Sequence, residues 1–148
     1  MHIEIGQKAP AFMGINQKGE EIQLSHFLGR KVVLYFYPKD NTPGCTAQAC
    51  NLKDNYAQLL AAGYVVLGVS PDSVKSHVKF IEKFNLPFDL LADESHEIAE
   101  LYGVWVEKSM YGRTYMGIAR TTFIINEEGN IEEIIQKVDT KNHSAQLL

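Results

Sequence analysis

Two continuous apolar runs, Val32-Val33-Leu34-Tyr35-Phe36-Tyr37 and Tyr64-Val65-Val66-Leu67-Gly68-Val69, do most to limit what this chain can fold into. Each is the length of a strand, rich in β-branched and aromatic residues, and lacks a polar alternate face. That is the pattern of a strand covered on both sides. Between them a helical pattern runs from about Cys45 to Leu60. In it Cys45, Ala49, Leu52, Tyr56 and Leu59 recur at i, i+4, i+7, i+11 and i+14, so they share one inward face. Gly63 stops the helix. Strand, helix and strand make a βαβ unit, expected to be right-handed with parallel strands.

The remaining segments fit around that unit. Residues 12–24 read as a short hairpin turning at Asn16-Gln17-Lys18-Gly19, and residues 25–29 as a single helical turn. Asp72 or Ser73 caps a helix whose inner face uses Val74, Val78, Ile81 and Phe84. Residues 86–91 read as a short strand and 95–102 as a short helix ended by Gly103. Residues 104–117 show no period and read as a loop in which Trp105 and the nearby tyrosines pack. Residues 120–126 and 131–136 flank Glu127-Glu128-Gly129-Asn130 as an antiparallel hairpin with a solvated acidic face, and the tail from Lys137 begins a last helix. No repeat, linker or low-complexity stretch interrupts the chain, so residues 1–148 read as a single domain. The fold class is α/β, thioredoxin-like: a central mixed sheet with helices on both faces and an N-terminal hairpin extension.

Composition removes several classes of function. With 45% hydrophobic and 22% charged residues and a formal charge of −4, the chain is globular and carries no basic run for nucleic acid. Its apolar runs are too short to span a bilayer. The opening Met1-His2-Ile3-Glu4-Ile5-Gly6 has neither the cationic head nor the apolar stretch of a secretory signal, which leads to an expected cytoplasmic location. Cysteines there stay reduced unless they take part in redox chemistry.

Both cysteines lie in the link between the first strand and its helix, Pro38-Lys39-Asp40-Asn41-Thr42-Pro43-Gly44-Cys45-Thr46-Ala47-Gln48-Ala49-Cys50. The site falls beyond the carboxyl end of a central strand, where open α/β sheets place their ligands. Cys45 starts a helix, whose unpaired N–H groups and partial positive charge favour thiolate over thiol. Thr42, three residues earlier, can bring a hydroxyl beside the sulfur. On an intact helix Cys45 and Cys50 have Cα atoms about 8–9 Å apart, beyond the roughly 7 Å a disulfide tolerates. A bond between them therefore requires the first turn and a half to unwind. Cys50 is then either a second thiol waiting for that event or a bystander off the core stripe, beside Ala57 and Ala61.

A reactive thiolate with a second thiol nearby is suited to two-electron oxidation, in which peroxide gives a sulfenic acid that condenses to a disulfide. A fixed cation is needed to hold the thiolate and the charge on the peroxide oxygens. Of Arg30, Arg113 and Arg120, the last opens a central strand and is best placed. The histidines at 2, 26, 77, 96 and 143 show no ligand spacing with the cysteines, so no metal site is expected. There is no Cys-x-x-Cys, which disfavours a thioredoxin-type dithiol oxidoreductase.

The pattern Pro38-x-x-x-Thr42-x-x-Cys45 resembles the active-site motif of peroxiredoxins. The run Thr42-Pro43-Gly44-Cys45-Thr46 with Cys50 is similar to the bacterioferritin comigratory protein, or Q-type, subfamily. The similarity continues through Gly68-Val69-Ser70-x-Asp72, Gly103-Val104-Trp105-x-Glu107-Lys108 and Gly117-Ile118-x-Arg120-x-Thr122-Phe123. The resemblance implies a peroxidatic Cys45 and a resolving Cys50. It also implies that Thr42 and Arg120 hold thiolate and peroxide while Pro38 shields the pocket. It further implies reduction of hydrogen peroxide and organic hydroperoxides without metal or organic cofactor, electrons from thioredoxin, and a monomer. Relatives of this group continue into a longer C-terminal helix than the tail to Leu148 supplies. Two other readings of the residues stand beside it: a peroxide sensor that passes oxidation to a partner protein, and a non-catalytic thioredoxin-like binding module.

Overall fold

The computed structural model describes residues 3–148; Met1 and His2, from the opening stretch expected to lack a secretory signal and from the scattered histidines, lie outside the described residues. In chain order the strands are β1 (Met13–Asn16), β2 (Glu21–Gln23), β3 (Lys31–Phe36), β4 (Tyr64–Ser70), β5 (Asp89–Ala92), β6 (Trp105–Met110), β7 (Arg113–Ile118), β8 (Thr121–Ile125) and β9 (Ile131–Ile135). The helices are α1 (Pro43–Asp54), α2 (Tyr56–Ala61), α3 (Val74–Phe84), α4 (Glu97–Leu101) and α5 (His143–Leu147), with one 3₁₀ turn at Leu24–Phe27.

Seven strands form one mixed sheet in the order β2-β1-β5-β4-β3-β8-β9. β3 pairs in parallel with β4, and β4 with β5, while β8 lies antiparallel along the other side of β3. The expected βαβ unit is thus the middle of the sheet. The unbroken apolar run of β3 has its cause in two cores. Val32, Leu34 and Phe36 enter one face with Phe123, Tyr102 and Ile98. Val33, Tyr35 and Tyr37 enter the other with Cys45, Ala49, Leu52 and Phe80. A strand buried on both faces gains from apolar residues at every position.

Four sequence expectations need correction. The helix read to Leu60 breaks at Asn55, whose backbone sits at φ −112°, ψ 14°. The Asn55 side chain donates to the carbonyl of Asn51 at 2.9 Å, competing for the acceptor that continued helix would use. On α3 the fully buried side chains are His77 and Phe80, with Val74, Val78, Ile81 and Phe84 at the flanks, because His77 finds hydrogen-bond partners inside. The strand read over residues 86–91 begins at Asp89, after Pro87, which has no N–H to give a ladder. Residues 104–117 are not a loop: β6 and β7 form a separate two-stranded sheet, with Trp105 opposite Ile118 and Met110 opposite Arg113.

Candidate active site

The register of β3 and β8 sets the site. Phe36 lies opposite Thr121, so Arg120, one residue earlier on the antiparallel strand, comes level with the end of β3 where the Pro38 loop departs. The loop then turns into α1, with Thr42 as N-cap and Pro43 in the first turn, where a missing N–H costs nothing. Cys45 is the third helical residue and is 2% exposed. Its Sγ accepts from Arg120 Nη2 at 3.4 Å. Gly44 eases this approach, since a Cβ there would lie 3.3 Å from the same Nη2 and ask it to shift by a few tenths of an ångström.

A side chain that the sequence reading passed over aims the guanidinium. Gln48, fully buried one turn after Cys45, accepts from Arg120 Nη1 at 2.7 Å through Oε1. One arm of the fork is thereby fixed on Gln48 and the other on sulfur. The available signal was its spacing, three residues after the thiol on the same helix. Gln48 Nε2 has no partner among the described residues, so a buried donor remains free on the side chain that holds Arg120. Lys108, half-buried on β6, is a second cation in this neighbourhood. Burial lowers its pKa first and the charge of Arg120 lowers it further, while Cys45 pulls it the other way. Tyr35 and Tyr37, stacked with centroids 5.4 Å apart, are held as neutral phenols because burial raises both pKa values well above the usual.

The other expected residues are placed as follows. Thr42 caps α1 by position but not by side chain: its hydroxyl donates to the Lys39 carbonyl at 2.8 Å, tightening the loop. Pro38 is half-buried at the start of that loop. Cys50 is half-buried on the same continuous α1, five residues on, and both thiols are free. Helical geometry therefore keeps the two Cα atoms about 8–9 Å apart. Next to Cys50, Asn51 Oδ1 accepts from the backbone N–H of Ser144, which docks α5 on α1.

A mixed sheet flanked by helices, with a thiol buried at a helix start against an arginine beside the neighbouring strand, defines a thioredoxin-fold protein with one buried thiol at the end of its central strand. The family model described as AhpC/TSA matches residues 5–134. The peroxiredoxin Bcp of Bacillus subtilis is 49% identical over 148 residues, covering 100% of this chain and 94% of that protein. Among solved structures, the Xanthomonas campestris bacterioferritin comigratory protein superposes with TM-score 0.90 at 33% identity, covering 97% of this chain and 94% of that one. The PrxQ of Xylella fastidiosa superposes with TM-score 0.93 at 32% identity, covering 99% and 94%. The chain belongs to the AhpC/TSA family, in its Bcp, or Q-type, branch of peroxiredoxins. It is accordingly a peroxidase, taking a peroxide as substrate and electrons from a thiol reductant. Among the described residues no helix is long and apolar enough to cross a membrane.

Proposed function

We propose that Cys45 is the peroxidatic nucleophile and Cys50 its resolving partner within a single catalytic domain. The Cys45 thiolate attacks one peroxide oxygen and the O–O bond breaks. The sulfur becomes a sulfenic acid, and the departing oxygen takes a proton to leave as water or an alcohol. Arg120 stabilises both the thiolate and the charge that grows on the peroxide oxygens, acting as a preorganised donor that needs no rearrangement during reaction. Thr42 holds the thiolate and the peroxide together with Arg120, and Pro38 shields the pocket. The first turn and a half of α1 then unwinds, the Cys50 thiol displaces water from the sulfenic acid, and a disulfide forms. A dithiol reductant of thioredoxin type restores both thiols. The observation that carries this reading is the 3.4 Å contact from Arg120 Nη2 to Cys45 Sγ at the start of α1.

Hydrogen peroxide and organic hydroperoxides are both proposed substrates; alkyl peroxide reduction is ascribed to the Xanthomonas campestris relative. The chain acts as a monomer in the cytoplasm, with no resident metal. Stopped-flow mixing of the reduced protein with peroxide, followed by intact mass, tests the scheme. Rapid oxidation with loss of two hydrogens is the expected result. Rapid oxidation with a stable gain of one oxygen would keep Cys45 as nucleophile and remove Cys50 from resolution.

A further inference from the structure

Asp40 is a buried carboxylate in the catalytic loop, five residues before Cys45, and every hydrogen bond its side chain makes leads away from the thiol. Oδ1 accepts from the hydroxyl of Tyr37 at the end of β3. Oδ2 accepts from Ser76 Oγ at 2.8 Å and faces His77 Nδ1 at 2.7 Å, both in the opening turns of α3. The Asp40 backbone N–H donates to Asp72 Oδ2, which also accepts from Ser70 Oγ. His77, fully buried, reaches the β5 carbonyl of Leu91 with Nε2 at 2.9 Å. That carbonyl can only accept, so Nε2 carries a proton. The other ring nitrogen of His77, Nδ1, is the one that meets Asp40 Oδ2. The three polar side chains Asp40, Asp72 and His77 lie within 4.8 Å of one another, but the oxygens that face inward are already met by donors from Tyr37, Ser70, Ser76 and the Asp40 amide. The cluster is a closed hydrogen-bonded knot.

We infer that Asp40 and His77 are positioning residues for the peroxidatic cysteine: they fix the loop that precedes α1 to α3 and β5. The loop needs such an anchor because its other ties are single bonds: the Asp40 amide to Asp72, Thr42 to Lys39, the Thr46 N–H to the Thr42 carbonyl, and the Lys83 ammonium to Asn41 Oδ1. With the anchor in place, Cys45 stays opposite Arg120 during attack, and any unwinding of α1 starts from a fixed residue. Without it the loop drifts, the thiol leaves the guanidinium more often, and the helix opens more readily. The anchor therefore acts on the two chemical steps in opposite directions. Attack on peroxide slows, whereas closure of the disulfide quickens. A residue that merely held the fold together would slow both.

The inference rests on the assignment of Cys45 and Cys50, and the test separates the two. Rapid-quench mass spectrometry on wild-type protein, Asp40→Ala and Asp40→Asn reads both steps. In Asp40→Ala, oxidation of Cys45 should fall about 10- to 100-fold, the scale of a displaced reacting group. Conversion of the gained oxygen to the disulfide should become faster. Asp40→Asn can still accept from Tyr37 and can donate to a neutral His77, so it should rescue both rates. Ser76→Ala, which removes a single bond of the knot, should show the same split in smaller measure if Asp40→Ala fails to fold. Equal slowing of both steps, or wild-type rates in both substituted proteins, would overturn the inference. A wild-type protein that gives neither product would remove the cysteine assignment first and the anchor with it.

Discussion

Helices α1 and α3 are nearly equal in length, at 12 and 11 residues, and cover the same face of the sheet, yet they are built for opposite purposes. α3 is closed at both ends. Ser73 Oγ accepts from the Ser76 N–H at 3.1 Å, and Asn85 ends the helix in the left-handed region at φ 52°. Its inner face carries Phe80, 2% exposed, with the Phe84 ring edge-on at 5.5 Å. α1 opens on Pro43-Gly44 with no side-chain cap, and its buried face is a thiol, an amide, a methyl group and one leucine. It ends against a broken joint at Asn55. Little apolar area is lost when its first turn opens, since Leu52 lies beyond that turn. The difference teaches that the element to which the proposed chemistry falls is the weakly held one, and that its neighbour supplies the rigidity.

Substitutions on α1 should therefore register in chemistry, and those on the apolar face of α3, away from the Ser76–His77 anchor, in stability. Cys45→Ser should lower peroxide turnover by at least about 1,000-fold, with unfolding in urea little changed; appreciable remaining turnover would break the assignment. Phe80→Ala should cost about 3–5 kcal/mol of stability, seen as a lower urea midpoint. A comparable fall in the rate of Cys45 oxidation by the folded protein would show that the two helices are not separable in this way. Arg120→Met should slow oxidation of Cys45 by roughly 100- to 1,000-fold, measured by stopped-flow. Asn85→Gly relieves a left-handed residue at the C-terminal end of α3 and should add up to about 1 kcal/mol, leaving peroxide kinetics unchanged.

The smallest effect concerns α5, which docks on α1. His143 is buried, pairs through Nε2 with Thr122 Oγ1 at 2.8 Å, and has its pKa lowered, chiefly by burial. The unfolded chain thus binds a proton more readily than the native one. The associated stability is complete above the ordinary histidine value of about 6.5 and declines as pH falls below it. His143→Gln should flatten that acid limb in urea titrations at successive pH values, and an unchanged limb would refute the role given to His143.

What was legible in the sequence follows the same physics. β3 and β4 were plain because burial on both faces imposes apolar residues without a break. Cys45 and Arg120 could be paired because one starts a helix and the other a strand beside it. The β6–β7 hairpin was illegible because residues 113–116 are all exposed, so no core imposes an alternation on them. Its turn also hides: Tyr111 and Gly112 both take positive φ, at 51° and 77°, but Tyr stands where Asn or Asp would signal the bend. The Asp40–His77 pair was out of reach because its members are 37 residues apart and join only once α3 has folded back over the loop. Gln48 was missed for a different reason: a glutamine reads as surface until an arginine is found opposite it.

The 2% exposure of Cys45 makes size the first filter on its reactions. A small peroxide should therefore meet the sulfur in the closed form far more readily than a bulky alkylating reagent, which should wait for α1 to open. The ratio of the two rates is then a clock for the opening, read in the native protein without denaturant. Reagents of graded bulk would turn one buried sulfur into a ruler of how far the door swings.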